Sequence, residues 1–204
     1  YKRQPYYIAE IYLIKKNYDK AEIVAQNYLS AYPNNEYTAE MYRVLGDADY
    51  HFGKYHEAMG AFEKYLANNK EEAPRRDALY MLGLSYYHSG VYTKAANTLG
   101  EVATGNDALS QNAYLHMGLS YLQMGDKNKA RMAFEQASAS NANMQIKEQA
   151  AYNYALCIHE TSYSAFGESV TVFEKFLNEF PNSQYVDKVS SYLVEVYMNT
   201  RSYE

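Results

Sequence analysis

The chain has 204 residues, 48 % of them apolar and 21 % charged, which is enough to bury a core and excludes a disordered chain. Four prolines and ten glycines favour long helices over many-turned β structure. The net charge is −5, and the densest charge run, residues 70–76, mixes both signs, so no basic face is available for nucleic acid.

Taken in chain order, the apolar spacing predicts eleven helices, near 3–15, 18–31, 36–52, 55–68, 74–89, 92–104, 108–124, 127–138, 145–162, 165–180 and 183–200. They form five pairs with one helix left over. The first helix of each pair carries a small residue at its middle: Ala9, Gly46, Gly83, Gly118 and Ala155. The second opens with Ala21, Ala58, Ala95, Ala130 or Ser169, in steps of 37, 37, 35 and 39 residues. Larger apolar side chains follow four and seven residues later in most pairs, as with Phe62 and Tyr65 or Phe173 and Phe176, and so share one helical face. Antiparallel helices approach closely only where a side chain is missing from the contact. Glycine inside a helix costs about 1 kcal/mol relative to alanine, so its recurrence points to close packing. Gly53, Gly90 and Gly125 fall where the first helix should end, in the left-handed cap that glycine adopts cheaply. No stretch approaches the roughly 18 apolar residues of a membrane span.

The segments Leu45 to Gly53, Met81 to Gly90 and Met117 to Gly125 align with one another, each followed by its alanine. The pattern resembles the tetratricopeptide repeat, W-x2-L-G-x2-Y…A-x3-F…P over about 34 residues, across essentially the whole chain. Tyr42, Leu79 and Tyr114 stand where that repeat has tryptophan. The aromatic after the glycine is Tyr86 and Tyr121 in two repeats but Asp49 in another, with Tyr50 beside it. The fifth repeat carries about two extra residues in its turn, residues 159–164. The resemblance implies an all-α fold: a right-handed superhelical solenoid of antiparallel helix pairs, about five repeats plus a terminal helix. Residues 1–204 would be a single repeat domain, cut from a longer array within a repeat at both ends. A narrower resemblance rests on the segments from Tyr32-Pro33-Asn34 to Tyr37 and from Phe180-Pro181-Asn182 to Tyr185. It is similar to bacterial cell-envelope repeat proteins, such as outer-membrane assembly lipoproteins and the Tol–Pal coordinator, and implies a periplasmic or outer-membrane-associated location over a cytoplasmic one.

The patterns that carry chemistry are missing. There is no glycine-rich nucleotide loop, no H-E-x-x-H and no Cys/His cluster at metal-ligand spacing. Cys157 and His159 point about 200° apart on a helix, so the expectation for Cys157 is a buried small residue. His51 and His88 occupy one repeat position in successive repeats, about 10 Å apart at helix-packing distances, too far to share a metal ion. No enzyme activity, cofactor or metal is expected.

The resemblance implies that the first helix of each pair lines a concave partner-binding face. The candidate residues it gives are Arg43, Asp47, Tyr50 and His51 in the second repeat and Tyr80, Leu84, Tyr87 and His88 in the third. The fourth supplies Leu115, Leu119 and Leu122, the fifth Tyr152, Leu156 and His159, and Tyr6, Glu10 and Leu13 extend the face in the first. The leucines and tyrosines have two readings, contact surface or core. A two-carboxylate clamp is argued against, because its Lys and Asn positions hold Tyr6, Arg43, Tyr80 and Leu115, then Glu10, Asp47, Leu84 and Leu119. Arg43 alone is left to pair with a partner's acid. The function expected is a non-catalytic scaffold for a protein or peptide segment; the alternative is a glycan- or peptidoglycan-associated module, since Tyr rings can stack on sugars. Val189, Leu193, Val196 and Tyr197 on the final helix are expected to lie uncovered and, with the first helix, to permit self-association.

Overall fold

A computed structural model describes residues 3–69, 72–161 and 165–201. Among these it is helical throughout: α1 (Arg3–Ile14), α2 (Tyr18–Ala31), α3 (Thr38–His51), α4 (Tyr55–Asn68), α5 (Glu72–His88), α6 (Tyr92–Val102), α7 (Ala108–Gln123), α8 (Lys127–Ala139), α9 (Met144–Thr161), α10 (Ala165–Glu179) and α11 (Val186–Arg201). The chain divides into two compact bodies, Tyr1–Val102 and Ala103–Glu204. The first holds α1 to α6 and the second α7 to α11.

Within each body every helix packs on the next in sequence, and the first helices of successive pairs also touch: α1 on α3, α3 on α5, α7 on α9. The mid-helix glycines explain how closely the pairs approach. A β-carbon on Gly118 would lie 2.5 Å from the Phe134 ring, one on Gly83 2.7 Å from Leu99, and one on Gly46 2.9 Å from Phe62. Those three larger residues are fully buried, so each fills the groove its glycine opens. Around them lie two cores in the N-terminal body, one centred on Tyr28, Met41 and Val44 and one on Phe62, Tyr65 and Leu82. The C-terminal body has its own two, on Leu115 and Phe134 and on Phe173, Phe176 and Val189.

The helix ends follow the repeat as well. Gly53, Gly90 and Gly125 have φ of 73°, 76° and 76°. After each, the next N–H donates to a carbonyl five residues back, as Val91 N does to Tyr86 O at 2.9 Å. The first repeat closes the same way, Asn17 N donating to Tyr12 O at 2.8 Å, but with Lys16 at φ 55° where the others have glycine.

Two helices start later than their apolar spacing predicts, because their approaches are pinned as loops. Ahead of α3, Thr38 Oγ1 donates to Tyr32 O and accepts from Asn35 N. Ahead of α11, Ser183 Oγ accepts from Tyr185 N and donates to Glu148 Oε1. The extra residues expected in the fifth repeat's turn fall partly on 162–164, outside the described residues, as do 202–204. α11 continues through Arg201, one residue past the predicted end at 200. Its uncovered face differs in part from expectation. Val189 and Val196 are buried in the last core and Leu193 packs half-buried against it, whereas Tyr197 is exposed as expected, together with Val194 and Met198.

Candidate partner-binding face

In the N-terminal body, α1, α3 and α5 bring the candidates of the first three repeats into sequence. Arg43 projects from α3 and is held by three carboxylates. Its Nε donates to Glu40 Oε2 at 3.0 Å, its Nη1 to Asp47 Oδ2 at 3.1 Å and its Nη2 to Glu10 Oε1. Each guanidinium nitrogen therefore already donates to a carboxylate of this chain, with which a partner's acid would have to compete. Beside it opens a cleft of about 650 Å³ bordered by Tyr6, Glu40, Arg43, Asp47, Asp77 and Met81. One cation faces four carboxylates there once Glu10 is counted. Burial, reinforced by Glu10 and Asp77 and opposed by Arg43, pushes the Asp47 carboxyl up to about 6.

Further along α3 and α5 the face becomes aromatic. Tyr50 is half-buried, with the rings of His51, Tyr55 and His88 at 5.9, 5.5 and 5.9 Å. His51 stacks on Tyr18 at 4.1 Å and His88 on Tyr55 at 4.7 Å, interplanar angles 17° and 19°. Tyr87 meets His88 and Tyr92 at 5.3 and 5.8 Å. The two histidines are thus equivalent: each lies exposed on the tyrosine that opens the preceding repeat's second helix. Burial lowers both imidazoles from their ordinary value, helped at His51 by Lys16. Tyr80 is half-buried, and its phenol is pushed up to about 12 by burial and by Tyr50. Leu84 is only 7 % exposed and belongs to the interior.

The C-terminal body is different. Leu115 is 2 % exposed, and Leu119 and Leu122 pack half-buried against the same cluster, so this stripe faces the core. Tyr152 is half-buried and stacks on Tyr185 at 4.0 Å and 9°. His159 sits between Phe173 and Tyr192, with Nδ1 buried and lacking a hydrogen-bond partner. Cys157 is buried, its thiol pushed up to about 11 by burial and Glu160, which leaves it a poor nucleophile. Among the described residues no group of three or more His, Cys, Asp or Glu side chains is placed to hold a metal ion.

Sequence reasoning missed Glu40 and Asp77 as cleft carboxylates, and Tyr18, Tyr55 and Tyr92 as the ring partners. The tyrosines carried a usable signal, since they recur at a constant 37-residue step. Nothing marked the two acids.

This arrangement, paired helices with an aromatic first-helix face, belongs to the class of helical-repeat proteins. A family model for "Anaphase-promoting complex, cyclosome, subunit 3" matches residues 53–137. No curated protein sequence matches the chain. Among solved structures, a tetratricopeptide repeat protein from Parabacteroides merdae is similar over 97 % of this chain and 72 % of that one, at 18 % identity and a TM-score of 0.70. YrrB, described as a TPR protein with an unusual peptide-binding site, is similar over 92 % and 90 %, at 17 % identity and a TM-score of 0.73. MamA is similar over 84 % and 93 %, at 24 % identity and a TM-score of 0.68. These likenesses show the fold: the chain is all-α and built of sequential helix pairs, with the fold of tetratricopeptide-repeat structures. They give no support to an envelope location. No described helix is long and apolar enough to cross a membrane.

Proposed function

We propose that the protein is a non-catalytic scaffold that holds a protein or peptide segment against the first-helix face of its N-terminal body. The observation that carries this reading is the ring series on α3 and α5. Tyr50, Tyr87, His51 and His88 stay at or near the surface although each has aromatic neighbours that fix its orientation. Rigid, amphipathic rings of this kind supply contact area at little entropic cost. Tyr80 and the Arg43–Asp47 pair continue the face toward the acidic cleft, which disfavours an acidic segment. Leu84 supports this face from the interior of the N-terminal body; in the C-terminal body Leu119, Leu122, Tyr152 and His159 are half-buried and Leu115 is buried, so they are not assigned to the site.

A sugar-binding reading has less behind it, because Tyr50 is already crowded by three rings rather than offering an open face. The test uses a peptide selected by display on the full chain. Tyr50→Ala with Tyr87→Ala should weaken its binding at least tenfold, about 1.4 kcal/mol, with helicity by circular dichroism unchanged. Undiminished binding with the fold intact would place the site elsewhere.

A further inference from the structure

In repeats one, three and four a tyrosine near the end of the first helix is covered by a lysine eight residues later. Lys20 lies over Tyr12, Lys94 over Tyr86 and Lys129 over Tyr121, at 5.6, 5.3 and 5.6 Å. Repeat two has Asp49 and Glu57 at those two positions. The ring's volume is lost, and a cleft of about 490 Å³ opens among α2, α3 and α4, with Glu22, Tyr42, Asp49, Glu57 and Gly60 in its lining. Gly60 widens it. Repeats one and four carry Ile23 and Met132 there, whereas a β-carbon on Gly60 would meet nothing within 4 Å. A mid-helix glycine weakens a helix, and no close neighbour requires this one.

Asp49 forms the floor of the cleft. It is 4 % exposed, and its carboxylate accepts no hydrogen bond from the described residues. The nearest ammonium, Lys54 Nζ, is 3.9 Å away and is held instead by Glu22 Oε1 at 2.7 Å. A buried acid without a donor is costly and asks for an explanation. The other charged or titratable groups facing the cleft are Glu22 from α2, Lys54 from the turn, and His56, Glu57 and Lys64 from α4. Lys64 is drawn to the Tyr42 ring, 4.9 Å away. Asp49, with only the long ion pair to Lys54, and Glu57 are therefore the carboxylates that accept no hydrogen bond among the described residues. Asp49 follows Asp47 by two residues on α3, about 200° around the helix, so this cleft lies on the side opposite the partner-binding face.

We propose that this cleft binds the guanidinium of an arginine side chain on a partner protein. A planar, weakly hydrated fork satisfies two carboxylates at once and tolerates burial better than an ammonium, and Lys54 already occupies the ammonium position at Glu22. The site is separate from the scaffold face and does not depend on it.

The test is an amide-resolved NMR titration of the full chain with an arginine tripeptide amide, its uncharged citrulline counterpart and its lysine counterpart. Arginine should shift the amides of Leu45, Asp49, Gly60 and Ala61 saturably, and citrulline should not. Asp49→Asn should lose at least tenfold in affinity. Asp49→Tyr, which restores the ring of the other repeats, should abolish binding. Binding should also weaken below about pH 6, where the Asp49 carboxyl takes up its proton. The assignment is overturned if citrulline or lysine binds equally, if Asp49→Asn binds unchanged, if the shifts map instead to Asp47, Tyr50 and Tyr80, or if no saturable shift occurs.

Discussion

Burial pushes the Asp49 carboxyl up to about 6, with Glu22 and Glu57 adding to it and Lys54 opposing it, against an ordinary value of 3.8. Between these values the folded chain holds a proton that the unfolded chain has released. Folding is therefore favoured as pH falls through about 6, and the charged carboxylate costs stability above it. Asp49→Asn should be more stable than the parent at pH 7.5 by about 1–2 kcal/mol. Urea melts should show that advantage vanishing near pH 4. A gain in stability combined with a loss of arginine binding is the expected mark of a residue kept for a ligand. His51 and His88 run the other way. Their lowered folded-state values make their contribution complete above 6.5 and lost as pH falls below it. Lys16 is a simpler case. A side chain in the left-handed region costs about 1 kcal/mol, and the other repeats avoid this with glycine. Lys16→Gly should raise stability by about that amount in thermal melts; a loss would mean that its aliphatic stem packs usefully.

At the scale of the helix pair, the same substitution should have opposite signs at two glycines. Gly118→Ala pushes a methyl to within 2.5 Å of the Phe134 ring, so overpacking of about 1–3 kcal/mol outweighs the propensity gain. Gly60→Ala meets no atom and should gain about 1 kcal/mol of helix propensity. Chemical denaturation of the two variants measures both. This packing is also why the fold was legible from sequence. Gly46, Gly83 and Gly118 with their partners Phe62, Leu99 and Phe134 encode one contact repeated three times, and the capping glycines mark its ends. Helix starts at Thr38 and Val186 were less legible, because a side-chain hydroxyl rather than the apolar period sets where each loop gives way to helix. The leucine stripe of α7 was ambiguous for another reason. That helix is apolar around much of its circumference, so periodicity could not say which side faces the core.

At the scale of the whole molecule, each body has its own cores and its own first-helix face, but the two faces differ. The N-terminal body presents exposed histidines on tyrosines beside an acidic cleft, whereas the C-terminal body turns its leucines inward. The residue types of the binding face could be read from sequence through the tetratricopeptide resemblance. Their partners could not, because Arg43's three carboxylates come from two helices and Asp49's isolation depends on what surrounds it. The one trace was Asp49 standing where Tyr86 and Tyr121 stand in their repeats. The central claim, that a segment is held along α3 and α5, is tested most directly by hydrogen–deuterium exchange of the full chain with the display-selected peptide bound. The account predicts added protection across Arg43 to His51 and Tyr80 to His88, with α8 and α10 unchanged. Protection confined to α8 and α10, or absent from α3 and α5, would contradict it.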